Sequence, residues 1–292
     1  MEKSKLDALI NLLDDPDNSV FELVEKELLK ESNDIIPMLE KKWETSFDTD
    51  YQERIENLIQ GLQFKETYNK LKTWINSGFN ERDLFTGFWI VDQFQYPDLN
   101  QLNIKLKVEN IRKKIWLELN NSLTLLEKTT ILNHYLFNIK GFAINLSNKN
   151  SSQNCFLSQL LDSKKGNSVS LSIFYTILAR QLELPAYFID FPKNPLIAIV
   201  DPELARKVHG KSLNSDVLFY INPSHKGAIT SIKEIEYHLQ KNDFLPLYDY
   251  TQPKSDILFI QRLLESLEES YHQLGMSEKE EQIQQLLQLF EY

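Results

Sequence analysis

From Ser168 to Leu182 the chain sets Val169, Leu171, Ile173, Phe174, Ile177, Leu178 and Leu182 around nearly the whole circumference of a helix. A helix that is apolar all round leaves no face for water, so other elements must wrap it. One wall follows at once in sequence. Residues 186–191, 196–200 and 217–222 are short runs rich in β-branched and aromatic residues, separated by turns containing Pro and Asn. These four segments impose an α+β core, one buried helix on a small antiparallel sheet.

The residues before this core read as helix almost throughout. Leu6, Ile10 and Leu13 share a face, Asp14 to Asn18 breaks the chain, and Ser19 is placed to cap a second helix burying Val20, Phe21, Val24 and Leu28. Met38, Leu39 and Trp43 follow Pro37, and Ile55, Leu58, Ile59 and Leu62 recur at helical spacing. The short helices and acidic turns fit one or two HEAT-like pairs, without a clean repeat. The aromatic stretch from Tyr68 to Phe94 reads as core, and Thr124-x-x-Glu127 is a capping box. The Asn/Ser-rich segment 145–153 reads as a hinge. This gives a helical domain over 1–145 and a core over 146–250. A helical hairpin packed on the core spans 251–292, broken at Gly275, with Ser277-x-x-Glu280 expected to cap its second helix.

Composition removes several function classes. The 292 residues carry a formal charge of -10 with no dense Lys/Arg run, which disfavours a nucleic-acid partner. No apolar run reaches the roughly 20 residues a membrane span needs, and the polar start Met1-Glu-Lys-Ser-Lys5 is unlike a secretory signal, so a cytoplasmic protein is expected. One cysteine, Cys155, and five histidines without paired spacing predict no disulfide, no metal and no cofactor.

Three runs carry a family resemblance. Leu161-Asp-Ser-Lys-Lys-Gly-Asn-Ser-Val-Ser-Leu171, Phe191-Pro-Lys-Asn-Pro-Leu-Ile197 and Tyr220-Ile-Asn-Pro-Ser-His-Lys-Gly227, behind a helical first half, resemble the SirB-type transglutaminase-like proteins of bacteria. In that family the runs read R-[KR]-G-x-P-[IL]-S-L, P-x-H-F and [DN]-P-[FY]-x-G. The resemblance implies a transglutaminase-like or papain-like core with Cys, His and Asp on a helix start and two adjacent strands. Carried over by position, Lys165 and Gly166 keep the approach turn, Ser168 replaces the proline, and Ser170-Leu171 keep the helix start. Asn194 stands at the histidine and Asn222 at the aspartate.

Thiol-dependent acyl transfer needs a thiolate and an imidazole. Neither Asn194 nor Asn222 can act as a base, so Ser170 has nothing to take its proton. Two readings of the site stay open. Lys165, Gly166, Ser168, Ser170, Asn194 and Asn222 form a binding pocket for a protein or peptide partner, or the serines only start the helix while the asparagines satisfy turns. The expected function is a catalytically silent binding or regulatory module. The alternative is a hydrolase or amide transferase pairing Cys155 with His225 or His209, which requires the thiol within hydrogen-bonding reach of an imidazole.

Overall fold

The computed structural model describes residues 3–15, 17–78, 81–210, 216–244 and 247–291. Met1, Glu2 and Pro16, which entered the expectations above, lie outside them. The chain divides into two compact units, Met1–Thr73 and Trp74–Tyr292.

The first unit holds helices α1 (Lys3–Asn11), α2 (Asn18–Leu28), α3 (Ile36–Thr45) and most of α4 (Thr49–Asn76). The cap of α2 is Asp17, whose carboxylate accepts from the Ser19 amide, so the capping role expected of Ser19 belongs to a residue two earlier. Asp can serve here because its side chain reaches the amide two residues on. The helices close around Ile10, Leu13, Leu28, Leu39, Ile55 and Leu58. These are the apolar positions read from the sequence period.

The second unit continues with α5 (Leu84–Gln95), α6 (Gln101–Trp116) and α7 (Leu125–Asn133), the last opened by the Thr124/Glu127 capping box and extended by a π-helical turn over His134–Ile139. A two-stranded parallel pair joins β1 (Ala143–Ile144) to β2 (Lys165–Gly166) across α8 (Leu157–Ser163). Then come α9 (Ser168–Gln181), β3 (Ala186–Ile189), β4 (Leu196–Val200), α10 (Pro202–His209), β5 (Val217–Asn222), β6 (Ala228–Thr230), α11 (Ile232–Lys241), α12 (Asp256–Leu274) and α13 (Ser277–Leu287). The sheet runs β3-β4-β5-β6, antiparallel throughout, with Ile197 opposite Ile221 and Asn222 opposite Ala228.

Both faces of this sheet are covered. Ile189, Leu196, Ala198 and Tyr220 meet Ile232, Ile235 and Leu239 of α11, while on the other face Phe188 stacks on Phe259 of α12 with centroids 4.0 Å apart. That explains why β4 is apolar at consecutive positions instead of alternating. Residues 169–179 of α9 are all buried, as its composition demands. Arg180 near its end makes a bidentate pair with Asp256 at 2.6 and 2.9 Å, joining α9 to the start of α12.

Three features differ from the sequence reading. The unit boundary falls in the last turn of α4, not near residue 145. Segment 145–153 is fastened by amide chemistry: Asn145 Nδ2 donates to Asn154 Oδ1 at 2.8 Å, and Asn154 Nδ2 donates to the Asn148 and Lys149 carbonyls. An Asn-rich composition suggests a hinge until those side chains are seen to bond one another. Second, α12 is part of the core itself and not only packed on it, since Phe259, Ile260, Leu263, Leu264 and Leu267 are fully buried. Third, the helix α13 lacks the expected side-chain cap, because Ser277 is already its first helical residue. Gly275 does end α12, in the left-handed conformation.

Candidate functional site

The start of α9 is built around Asn167, which sits before the first helical residue. Its Oδ1 accepts from the Ser170 amide at 2.8 Å, and its own amide donates to Ser170 Oγ at 3.1 Å. Ser170 is therefore the third helical residue, closing a reciprocal capping box, and it is fully buried. Gly166 lies over it so closely that a Cβ there would stand 2.5 Å from Ser170 Oγ and 3.0 Å from Leu160 Cδ1. The approach turn needs glycine because Ser170 fills the space. Ser170→Ala should lower stability by about 1 kcal/mol, the usual net value of the hydrogen bond it removes. Urea denaturation checks this.

Cys155 lies beneath the same turn. Asn167 Nδ2 donates to its Sγ at 3.1 Å, and Ser270 is its other polar neighbour. Burial pushes the thiol up to about 12, against the smaller effect of these hydrogen bonds. The structure does not deliver the imidazole that a Cys155-based enzyme needs. His209 Nε2 is paired with the Leu218 carbonyl at 2.9 Å, and His225 is exposed at a separate cavity. The isolated, protonated thiol behaves as a small core residue.

That cavity, of about 610 Å³, lies between the loop joining β3 to β4, the turn joining β5 to β6, and α11. Asn194 and Asn222 both line it, with His225, His238 and Asn242. Leu196, Ile235, Phe191 and Phe244 supply apolar surface. The two walls are bent by residues in the left-handed region, Lys193 at φ 66° beside Asn194 and Lys226 at φ 55° before Gly227. Such backbone costs about 1 kcal/mol or more for a non-glycine residue, and clusters where surrounding structure fixes it. Glu234 also lines the cavity, but its Oε2 accepts from Thr230 Oγ1 and from the amide and hydroxyl of Ser231. It closes the capping box of α11, whose cap is Ser231.

The six residues nominated from the sequence thus fall into two places. Asn194 and Asn222 share the cavity; Lys165, Gly166, Ser168 and Ser170 belong to the helix start and do not line it. The serine facing the Asn194 loop is Ser172, buried, whose Oγ donates to the Pro195 carbonyl at 3.4 Å. Sequence reasoning passed over it. Helix geometry held the signal: at about 100° per residue, Ser168 and Ser172 share a face while Ser170 points away.

Among the described residues no group of three or more His, Cys, Asp or Glu is placed to hold a metal ion, and no helix is long and apolar enough to cross a membrane. The arrangement can donate and accept hydrogen bonds, through amides and imidazoles, to a ligand seated on an apolar floor.

Comparison with known proteins agrees with the core. The F-box only protein 21 of mouse, of Pongo abelii and of human are each 25% identical to this chain over 156 residues, covering 53% of the chain and 23% of the relative. The matched segment is thus under a quarter of those proteins' own length. No solved structure matches the chain. The model of the transglutaminase-like superfamily matches residues 103–265, from α6 through the sheet and into α12. That span contains the buried helix, all four strands and the cavity, and covers more than half the sequence: the chain belongs to the transglutaminase-like superfamily.

Proposed function

We propose that this protein is a catalytically silent, SirB-type member of the superfamily that binds a protein or peptide segment at the cavity carrying Asn194 and Asn222. The carrying observation is chemical. The positions that would supply imidazole and carboxylate hold amides, and the lone thiol is sealed in the core with an ordinary asparagine for a partner. Amides complement peptide groups in both directions, donating to carbonyls and accepting from N–H. Phe191 and Phe244 offer an apolar side chain a place to lie.

The first unit fits the same proposal as a HEAT-like interaction surface, supported by its four-helix array with a core of its own. A cytoplasmic setting belongs to this reading too.

Titration of the isotopically labelled protein with a panel of glutamine- and lysine-containing peptides tests it. The expected result is saturable movement of the Asn194 and Asn222 side-chain amide signals and of the His225 and His238 ring signals, reduced at least tenfold in affinity by Asn194→Ala. No peptide should be consumed. Turnover of an amide or ester, or a covalent adduct on Cys155, would overturn the proposal.

A further inference from the structure

The four-stranded sheet has two edges, and the chain treats them differently. The β3 edge is occupied: the Lys254 amide donates to the Phe188 carbonyl at 2.8 Å, so the segment leading into α12 lies against that strand. At β6 the sheet ends, and among the described residues the strand paired with Ala228–Thr230 is β5 alone. Ala228 and Ile229 are exposed. Natural sheets commonly protect such an edge with charge, proline or a covering element, and Ala-Ile-Thr supplies neither charge nor proline.

The register shows which main-chain groups of β6 face outward. Gly227, at φ 74°, donates to the Asn222 carbonyl at 2.9 Å, and Asn222 stands opposite Ala228. A left-handed glycine bonded in this way is a bulge that closes the ladder on a bonded pair. Antiparallel bonded pairs recur at every second residue, so Tyr220 and Thr230 form the next one, with Ile221 and Ile229 between them. The N–H and C=O of Ile229 therefore point away from β5. Its side chain, 38% exposed, stands on the opposite face from those of Ala228 and Thr230, which line the cavity. An extended chain laid against β6 would meet a donor and an acceptor at Ile229 and send alternate side chains toward the cavity. Charge there favours one sign. Glu234 is spent on the α11 capping box, while the exposed Lys193 lines the cavity and the exposed Lys226 sits in the adjoining turn.

We propose that β6 receives a segment of a partner protein as a fifth strand of the sheet, an extended acidic peptide with alternating apolar residues, paired through the main chain of Ile229. This rests on the peptide-binding reading of the cavity and adds the mode of binding and the character of the ligand. A three-residue strand allows only a few bonds, which suits a reversible contact and discourages runaway pairing.

The test is titration of the isotopically labelled full chain with the capped hexapeptides Glu-Val-Glu-Val-Glu-Val and Lys-Val-Lys-Val-Lys-Val, reading amide shifts and hydrogen exchange. The acidic peptide should bind about tenfold more tightly than the basic one and slow exchange of the Ile229 amide. N-methyl groups on one set of alternate peptide amides should weaken binding about tenfold, and on the other set by less than about twofold, because a strand pairs along one edge only. Ile229→Pro removes the outward amide at a position where an edge strand accepts proline, so the fold should persist while binding falls about tenfold. Ile229→Val keeps the amide and should bind as the parent does. The N-methylated peptides decide the matter even if Ile229→Pro fails to fold. Binding that moves Asn194 and Asn222 but neither protects Ile229 nor responds to N-methylation would overturn strand addition and leave the cavity reading intact. No binding by either peptide would overturn both, and equal affinity for the two would overturn the acidic preference. Protection of Ile229 that grows with protein concentration in the absence of peptide would give the edge to a second copy of the chain, and overturn the proposal as well.

Discussion

Gly227→Ala is expected to destabilise the protein by about 3–5 kcal/mol, enough to unfold a large fraction of it at physiological temperature. Gly227 has φ 74°, where a Cβ carries a steric penalty of about 1–2 kcal/mol. The same Cβ would collide with the Asn133 amide, 2.7 Å from Nδ2 and closer still to the other amide atoms. Asn133 cannot simply swing aside, because its Nδ2 donates to the Gly227 carbonyl. Overpacking and the lost hydrogen bond therefore add about 2–3 kcal/mol to the backbone term. Combining Gly227→Ala with Asn133→Ala relieves the collision and leaves the φ penalty, so the double variant should be more stable than Gly227→Ala alone. Urea denaturation of the three variants checks the ordering. A cost for Gly227→Ala below 1 kcal/mol would mean that the turn is not held against α7.

The second large effect depends on pH. Asp92, fully buried on α5, receives the Ser158 amide at 3.2 and 3.3 Å and the Ser158 hydroxyl at 3.0 Å, yet burial outweighs these bonds and raises its carboxyl to about 7. In the unfolded chain the group titrates near 3.8. Between those values the folded state holds a proton that the unfolded state has released, so stability falls as pH rises from 4 to 7 and levels off above it. The gap of about three pH units corresponds to roughly 4 kcal/mol, as an upper figure. Asp92→Asn keeps an acceptor for Ser158 and removes the titration. The variant should match the parent near pH 4 and exceed it by a few kcal/mol at pH 8. Parallel stability curves with the same slope would show that the carboxyl is not responsible.

The sequence made the second unit's framework legible where a local rule sufficed. Apolar residues around all of α9 required burial, the three runs after it became β3, β4 and β5, and Thr124/Glu127 became a reciprocal cap. Strand β6 was not legible, since three partly exposed residues carry no periodic signal. Nor was the role of Asp92, because its donors come from Ser158, 66 positions later in the chain. The candidate site divided for a related reason. Motif position placed Ser170 beside Asn194 and Asn222, but the cap at Asn167 fixes where the helix begins and hence which way each serine points.

That cap limits what chemistry residue 170 could carry. Ser170→Cys would put a larger sulfur against Gly166, where even a methyl group on residue 166 would stand 2.5 Å from the present Oγ, and residue 170 is as fully buried as Cys155. It would also remove the hydroxyl that closes the Asn167 box. A nucleophile at residue 170 is thus opposed by the helix start itself: any side chain placed there is committed to holding the turn closed before it can meet a substrate.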